Sequence, residues 1–290
     1  MTHHYAVFGD PIKHSKSPQI HTLFAQQTNQ DLDYVRKQVS PSNFLTEVYS
    51  FFDGGGKGLN CTVPLKELAW RYFVGEDGVS WKYQCELTPL AKAAKAVNTL
   101  YMKDGKFYGH NTDGVGLVHD LLKNHHIDLA DKRILILGAG GASRGIINPL
   151  LWQKPSSLVV ANRTLSKAEA LLVDFPSILI RSYKDLDNQK FDLIINATST
   201  SLTGELPPLP DNILASNGCC YDLAYGDEDT VFVTWGKKHN ARKSLDGLGM
   251  LVEQAAEAFL IWTKMHVNSG VVIEHLDKER KSRGILEDKF

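Results

Sequence analysis

The sequence predicts an α/β fold with two α/β domains around a cleft, on three observations. Short apolar strands alternate with helical stretches in two separate runs of the 290-residue chain, as in layered α/β folds. In the second run, a glycine-rich turn follows a strand directly and opens a helix. The length and the 43% of apolar residues suit two ordinary domains. We therefore expect the second domain to be a doubly wound, Rossmann-type, dinucleotide-binding domain.

The first run begins with a short buried strand over residues 5–9. Ser17 is a suitable N-cap, and Pro18 a suitable first residue, for a helix that continues to Phe24. Further along we expect a strand from Gly58, helices over 66–72 and 87–96, and a strand over 97–101. Residues 73–84, with turn-prone glycines, form what we expect to be a surface excursion.

The second run has strands over 134–137, 158–161 and 193–195, separated by helical stretches as in a parallel sheet. Near the end, residues 250–264 carry apolar side chains at helical spacing. We assign 1–112 plus 248–290 to a substrate-binding and catalytic domain and 113–247 to a dinucleotide-binding domain. The charged end of the chain is expected to fray.

Composition excludes several classes of function. The formal net charge is −1, so no global field attracts nucleic acid or an anionic membrane. The first residues lack a signal-peptide pattern, and no apolar run has membrane-spanning length. The four cysteines form no C-x-x-C, and the histidines show no metal-site spacing. We expect a cytoplasmic, metal-free protein that binds a small molecule, as a monomer or homodimer.

The glycine-rich turn indicates a phosphate site. It reads Gly138-Ala139-Gly140-Gly141-Ala142-Ser143-Arg144-Gly145 and follows the strand over 134–137 directly. Gly138 permits the tight turn, Gly140 lets a pyrophosphate approach the backbone, and small Ser143 replaces the third glycine. The helix N-terminus that follows offers free N–H groups. The alternative is a merely tight strand–helix turn.

The end of the next strand favours NADP over NAD. Asn162-Arg163-Thr164 lies there, where NAD enzymes usually place an acidic residue against the ribose 2′-hydroxyl. A neutral residue followed by a cation would attract the additional 2′-phosphate of NADP. The alternative interpretation of Arg163 is an exposed surface arginine.

Three polar clusters lie beside tight turns of the first run: Ser15 with Ser17, Asn60 to Lys66, and Asn98 with Asp113. Each cluster has a purely structural interpretation. Ser17 and Asp113 could be N-caps, and Lys66 a solvated helix residue. The combination of the three favours a functional site.

Several ordered segments resemble the shikimate dehydrogenase family across nearly the whole chain. Besides the glycine-rich turn and Asn162-Arg163-Thr164, they are Gly9-Asp10-Pro11-Ile12-Lys13-His14-Ser15-Lys16-Ser17-Pro18, Asn60-Cys61-Thr62-Val63-Pro64-Leu65-Lys66, Ala96-Val97-Asn98-Thr99, Asn111-Thr112-Asp113-Gly114, and the stretch from Asp246 to Ala255. The resemblance implies an oxidoreductase that reduces 3-dehydroshikimate to shikimate with NADPH, in the biosynthesis of chorismate and aromatic amino acids.

The resemblance also implies residue roles. Lys66 and Asp113 would be the catalytic pair, since an ammonium can stabilise and protonate the oxygen of a ketone that receives hydride. The implied substrate ligands are Ser15, Ser17, Asn60, Thr62, Asn98, Asp113, Tyr225 and Gln254. The implied cofactor ligands are Gly138, Ala139, Gly140, Gly141, Ala142, Asn162, Arg163, Thr164, Lys167, Thr198, Gly247 and Met250. No metal is implied, because the lysine polarises the carbonyl.

Three departures from the family and two alternatives stay open. Residues 73–84 look like an insertion relative to the family, and the charged segment from Ser269 to Phe290 matches it poorly. Lys167 stands where the family usually has arginine, so the grip on the 2′-phosphate should be looser. A quinate/shikimate dehydrogenase that uses NAD or NADP is the first alternative, although Asn162-Arg163-Thr164 lacks the carboxylate typical of NAD-tolerant relatives. The second alternative is a non-catalytic NADP-binding regulator, which would not need Lys66 and Asp113.

Overall fold

The computed structural model describes the backbone of residues 1–287 and the side chains of residues 1–282 other than Asp77 and Leu202. In this part of the chain, two six-stranded sheets alternate with helices, which confirms the α/β prediction. The chain divides into two units. The first comprises Met1–Gly116 and Val252–Val272, and the second comprises Leu117–Leu251 and the segment that begins at Ile273.

The first unit contains a mixed sheet. Its strands are β1 (His3–Gly9), β2 (Leu32–Gln38), β3 (Gly58–Cys61), β4 (Cys85–Leu87), β5 (Thr99–Lys103) and β6 (Lys106–His110), in the order β2-β1-β3-β5-β6-β4. Strand β1 is parallel to both of its neighbours, while β5 is antiparallel to β3 and β6. The early helices are α1 (Ser17–Thr28), α2 (Phe44–Asp53), α3 (Leu65–Val74) and α4 (Pro89–Ala94).

Two expectations for the first run are wrong. Helix α1 begins at Ser17 itself, and no side chain caps it. The predicted helix over 87–96 is shorter, because Cys85–Leu87 forms a strand and Thr88 then caps α4 by accepting from the Ala91 N–H. Pro89 at the first helical position explains why the helix cannot begin earlier.

The segment 73–84 is not only a surface excursion. Trp81 is buried and packs edge-on against Phe44, Tyr72 and Phe107 in the core of the first unit. An aromatic side chain of this size buries a large apolar area, so the segment contributes to the stability of that core.

The second unit contains a fully parallel sheet. Its strands are β7 (Arg133–Leu137), β8 (Ser157–Ala161), β9 (Leu179–Arg181), β10 (Phe191–Asn196), β11 (Leu214–Asp222) and β12 (Lys243–Leu245), in the order β12-β11-β10-β7-β8-β9. Counted from β7, this is the doubly wound order of dinucleotide-binding domains, which confirms the Rossmann-type prediction. Its central strands β7, β8 and β10 are mostly apolar and buried, as expected where helices cover a parallel sheet.

The remaining helices are α5 (Asp113–His119), α6 (Gly141–Leu151), α7 (Leu165–Glu169), α8 (Val231–Lys238), α9 (Leu248–Thr263) and α10 (Ser269–Glu287). The boundaries of the two units differ from the predicted domains, because the chain changes units after Gly116, Leu251 and Val272, within α5, α9 and α10. The expected fraying at 288–290 lies outside the described residues. No helix in the described range is both long and apolar enough to cross a membrane.

A buried histidine lies among aromatic rings in the first unit. His21 has no exposed surface, and its ring stacks on Tyr34 with centroids 4.2 Å apart. Phe24, Phe259 and Trp262 surround it. Neither ring nitrogen has a hydrogen-bond partner among the described residues. Burial lowers the pKa of His21 to about 3, because the charged form would lose its hydration.

We therefore expect acid to destabilise the first unit through His21. Above about pH 6.5 the imidazole is neutral in both folded and unfolded states. Between pH 6.5 and about 3 only the unfolded state takes up the proton, so stability falls as pH falls. The slope is about 1.4 kcal/mol per pH unit for one such group. Urea unfolding from pH 7 to 4 measures it, and His21→Phe should flatten it.

His14→Phe is the matched control, since His14 is exposed. Some slope should remain in His21→Phe, because burial also lowers the pKa of His110 to about 4. An unchanged slope in His21→Phe would show that His21 does not limit acid stability.

Candidate active site

The two predicted catalytic residues meet in the first unit. Lys66 Nζ lies 2.7 Å from Asp113 Oδ2, and both side chains are largely buried, with 28% and 16% exposed. Lys66 is the second residue of α3, and its carbonyl accepts from the Val97 N–H. A charge-assisted hydrogen bond in a partly dehydrated place fixes the direction of the ammonium.

Asn98 is the centre of the polar cluster. Its Nδ2 lies 2.8 Å from Asp113 Oδ1, 2.9 Å from Thr112 Oγ1 and 3.3 Å from Gln254 Oε1. An amide nitrogen carries two hydrogens, so these three acceptors exceed what Asn98 can donate. Each carboxylate oxygen of Asp113 also has a second lone pair, so the cluster keeps acceptor capacity for the O–H group of a ligand.

Backbone geometry explains how Asp113 and Gln254 reach this centre. Helix α5 begins at Asp113, whose N–H donates to Asn111 Oδ1 at 3.0 Å, while its carboxylate contacts Lys66 and Asn98. A Cβ on Gly116 would lie 2.6 Å from the backbone nitrogen of Gln254. Only glycine lets α5 and α9 approach this closely, which brings Gln254 to Asn98.

Asn60 is tied into the same network by all of its polar atoms. Tyr34 donates to Asn60 Oδ1 at 2.7 Å, while Asn60 Nδ2 donates to the Asn98 carbonyl and to Thr99 Oγ1. Both amide hydrogens are thus used within the protein. Asn60 can therefore act on a ligand only as an acceptor, through the second lone pair of Oδ1.

The two predicted serines extend the network at its other end. Ser15 Oγ lies 3.2 Å from Ser17 Oγ, and Ser17 also hydrogen-bonds with the buried side chain of Tyr34. Because no side-chain cap is made at α1, the Ser17 hydroxyl is not committed to the helix. Thr62 lies beside the Gly9–Asp10 turn, since its N–H donates to the Phe8 carbonyl at 2.9 Å and the Asp10 N–H donates to the Val63 carbonyl at 3.1 Å.

Sequence reasoning missed Tyr34. It joins Ser17 to Asn60, yet it lies on β2, which is mostly exposed and has no clear alternation of apolar residues. A lone buried tyrosine needs a partner for its hydroxyl, and this was the only local signal that could have drawn attention to it.

The glycine-rich turn of the second unit has the geometry of a phosphate site. Gly138 has φ +101°, which only glycine adopts readily, and α6 then begins at Gly141. A Cβ on Gly140 would meet no atom within 4 Å, so protein packing does not require glycine there. The N-terminus of α6 has no side-chain cap and no acidic residue in its first turn. This combination fits an anion close to the backbone.

Ser143 is explained by the turn itself. Its hydroxyl is fully buried and donates to the Gly138 carbonyl at 2.8 Å. The serine thus holds the turn where a third glycine would give only close packing. Thr198 lies at the neighbouring strand end, and its methyl would be 3.0 Å from a Cβ on Gly138.

Arg163 and Lys167 are exposed after β8, and Thr164 between them is exposed as well. Within the described part of the chain, no carboxylate forms an ion pair with Arg163 or Lys167. Asn162 Nδ2 donates to the Thr164 carbonyl at 2.8 Å, which holds the loop. Two unpaired cations beside a held loop suit a phosphate group.

A buried Asn–Asp pair organises the loops after β10 and β11, and sequence reasoning missed it. Asn196 Oδ1 accepts from the Thr198 hydroxyl at 2.6 Å, and Asn196 Nδ2 donates to Asp222 Oδ1 at 3.2 Å. Asp222 also accepts from the Ala224 N–H at 3.0 Å. The pair thereby positions Thr198 and the loop that carries Tyr225.

The remaining predicted ligands, Tyr225, Gly247 and Met250, belong to the second unit. The Gly247 N–H donates to the Ala224 carbonyl at 3.0 Å, and the Met250 N–H donates to the Tyr221 hydroxyl at 3.2 Å. Burial, and then the charge of Asp246, raises the pKa of Tyr225. Its hydroxyl therefore remains a hydrogen-bond donor at neutral pH.

Three family models match the chain. They are described as the shikimate dehydrogenase substrate binding domain over residues 7–100, shikimate / quinate 5-dehydrogenase over residues 120–203, and the shikimate 5′-dehydrogenase C-terminal domain over residues 247–276.

Similar proteins agree with these matches. A shikimate dehydrogenase (NADP(+)) from Methylococcus capsulatus is 53% identical over 96% of this chain and 97% of its own. A solved structure of an Ael1 enzyme from Pseudomonas putida is 41% identical, with a TM-score of 0.86 over 94% and 98% of the two chains. Shikimate 5-dehydrogenase from Thermus thermophilus, solved with NADP(H) and shikimate, is 27% identical, with a TM-score of 0.82 over 96% and 99%.

Proposed function

The chain belongs to the shikimate dehydrogenase family, and we propose that it reduces 3-dehydroshikimate reversibly to shikimate with NADPH. This places it in the biosynthesis of chorismate and aromatic amino acids. One observation of the structure carries the proposal: the Lys66–Asp113 pair lies beside a cluster with acceptor capacity for hydroxyl groups. A ketone that also bears hydroxyls requires both features.

Lys66 has the central chemical role in this proposal. When bound, NADPH supplies hydride to the carbonyl carbon of the substrate. The Lys66 ammonium stabilises the negative charge that develops on the carbonyl oxygen, and Nζ gives that oxygen its proton. Asp113 Oδ2 lies 2.7 Å from the ammonium and holds it in place, and the carboxylate can also accept a hydrogen bond from a substrate hydroxyl. In the oxidation of shikimate the same proton returns to Lys66.

The rest of the network is proposed to bind the ring. The hydroxyls of Ser15 and Ser17 donate hydrogen bonds to the substrate carboxylate, and Thr62 lines the same pocket. Asn60, Asn98 and Gln254 accept or donate to ring hydroxyls, with Asn60 restricted to accepting. Tyr225 adds a phenolic donor. Because hydroxyls and amides fix both distance and direction, they select the pattern of hydroxyls on the ring.

The geometry of the second unit supports the roles that we propose for its residues in binding NADP. Gly138, Ala139, Gly140, Gly141 and Ala142 are proposed to receive the pyrophosphate, and Asn162, Arg163, Thr164 and Lys167 the adenosine 2′-phosphate. Thr198, Gly247 and Met250 are proposed to flank the nicotinamide. The open space at the Cβ position of Gly140 and the unpaired cations after β8 support this assignment.

A direct test is an absorbance assay of the reduced nicotinamide. The purified protein is offered shikimate or quinate, each with NADP or NAD. We expect turnover with shikimate and NADP and much lower kcat/KM for the other three pairs. Comparable kcat/KM with quinate would make it a quinate/shikimate dehydrogenase, and comparable kcat/KM with NAD would contradict the preference for NADP. No turnover, with NADPH still bound, would indicate a binding protein.

Removing one serine hydroxyl should mainly weaken substrate binding. We expect Ser15→Ala to raise the KM for shikimate about tenfold with little change in kcat, because the carboxylate is held equally in ground and transition states. Ser17→Ala should do the same without loss of helix stability, since no cap is lost. Steady-state kinetics and thermal melting measure both effects.

Ser42→Ala serves as the control, since Ser42 is exposed and its hydroxyl hydrogen-bonds with that of Ser40. A lower kcat at unchanged KM in Ser15→Ala would place the hydroxyl in the chemical step instead of in binding.

The protein is further proposed to act in the cytoplasm as a monomer or homodimer. All four cysteines are free, and three of them are buried, as suits a reducing compartment. Analytical ultracentrifugation across a concentration series distinguishes the two oligomeric states.

A further inference from the structure

One arginine near the end of the chain joins three segments of the second unit. Arg280, on α10, donates through Nη1 to the Asp246 carboxylate and to the Gly226 carbonyl, 3.3 Å away. Its Nε donates to Asp277 Oδ1 at 2.7 Å on the same helix. Only 20% of its side chain is exposed. A guanidinium can make these bonds together because its donors point in fixed, different directions.

Asp246 depends on this arginine. Only 12% of its side chain is exposed, and Oδ1 accepts from the Leu248 N–H at 3.2 Å, at the start of α9. Burial raises the pKa of Asp246, while Arg280 counteracts this, and the charge of Asp277 adds to the rise. Without Arg280, two carboxylates would face each other with one of them buried, which is costly.

Both neighbours of Tyr225 are held by this arrangement. The Ala224 carbonyl accepts from the Gly247 N–H, directly after Asp246, and the Gly226 carbonyl accepts from Arg280. The backbone on each side of Tyr225 is therefore attached to the Asp246–Gly247 turn, once directly and once through the guanidinium. If the guanidinium is removed, the Gly226 side of the loop loses its bond.

We propose that Arg280 is a positioning residue that holds the Tyr225 loop in the conformation required for substrate binding. The inference rests on the proposed function, in which the Tyr225 hydroxyl binds shikimate. Arg280 itself touches neither substrate nor cofactor. It acts by connecting α10 to the Gly226 carbonyl and to the Asp246 carboxylate.

The test compares two neighbouring cations on α10. Arg280→Met should raise the KM for shikimate about tenfold, which corresponds to the loss of roughly one hydrogen bond to the substrate. Its kcat and its Kd for NADPH, measured by nucleotide fluorescence, should stay close to those of the parent. Lys281→Met is the matched control: Lys281 pairs with the same Asp277 at 2.5 Å but is 71% exposed. It should leave all three constants unchanged.

Repeating the Arg280 substitution in a variant without the Tyr225 hydroxyl distinguishes a positioning role from general destabilisation. In Tyr225→Phe, which lacks the hydroxyl, Arg280→Met should raise the KM no further, because its effect passes through that hydroxyl. Arg280→Lys keeps the positive charge but lacks the fixed, divergent N–H donors of a guanidinium, and it should raise the KM less than Arg280→Met does. It replaces Arg280→Met in the same comparison if the methionine variant does not fold.

Two results would overturn the inference: an unchanged KM in Arg280→Met, or an equal rise with and without the Tyr225 hydroxyl. Either would leave the proposed function standing, since the parent enzyme would still turn over shikimate. An inactive parent would instead contradict the proposed function.

Discussion

Lys66→Met should lower kcat by about 10²–10³ while changing the Kd for shikimate much less. The ammonium contributes most when negative charge has developed on the substrate oxygen, so its loss is felt in the transition state more than in binding. Methionine keeps an apolar stem of similar length but has no proton to give. Stopped-flow and steady-state assays give the rate, and isothermal titration calorimetry gives the Kd.

Lys92→Met is the matched control, because Lys92 is an exposed lysine of α4 in the same unit. In Lys66→Met, the Asp113 carboxylate still accepts a hydrogen bond from Asn98.

Asp113→Asn should lower kcat as well, because the Lys66 ammonium would lose the carboxylate that orients it. A near-normal kcat in Lys66→Met would remove this residue from the chemical step.

Local turn chemistry made the cofactor half of the fold predictable. Gly138 ends a strand of continuous apolar residues and adopts a φ that other residues avoid, so sequence and backbone agree at that point. The doubly wound sheet follows, because a parallel strand–turn–helix unit permits few arrangements.

Several strands were not predicted, among them β4, β9, β11 and β12, and strands β2 and β6 show two different reasons for this. Strand β2 is mostly exposed, so its side chains show no clean period of two. Strand β6 was detectable: Asp104 and Gly105 have φ of 50° and 75°, and Asp-Gly between two strand-like segments indicates a hairpin.

Tertiary contacts determine the rest of the candidate site. The pairing of Lys66 with Asp113 spans 47 positions, and the approach of Gln254 to Asn98 spans 156. No periodicity encodes such distances. The combination of polar clusters suggested a functional site, and the resemblance to a family suggested which of its residues act together. Tyr34 and Arg280 had neither a motif nor a pattern, and only the folded chain shows what they connect.

Arg163→Ala should weaken NADP binding about ten- to hundredfold and leave NAD binding almost unchanged. The 2′-phosphate is the only difference between the two dinucleotides, so selectivity must come from groups that touch it. Arg163 can bind a phosphate through two parallel N–H bonds, and no carboxylate in the described part of the chain competes for it. Fluorescence titration with NADPH and NADH measures both affinities.

Lys167 provides an internal comparison, since it follows Arg163 by four positions and is equally exposed. Lys167→Ala should weaken NADP less than Arg163→Ala, because an ammonium offers a single point charge. Lys167→Arg should tighten NADP binding, because a second guanidinium could bind the 2′-phosphate through two N–H groups. Lys238→Ala, an exposed cation on α8, should change neither affinity.

Salt gives an independent measure of the same contact. Arg163 and Lys167 are exposed, so added salt should screen their attraction to the 2′-phosphate and weaken NADP more than NAD in the parent enzyme. In Arg163→Ala that difference in salt dependence should shrink, because the principal charge is gone. Equal losses of NADP and NAD affinity in Arg163→Ala would mean that the residue supports the loop or the adenine. The preference for NADP would then need another physical cause.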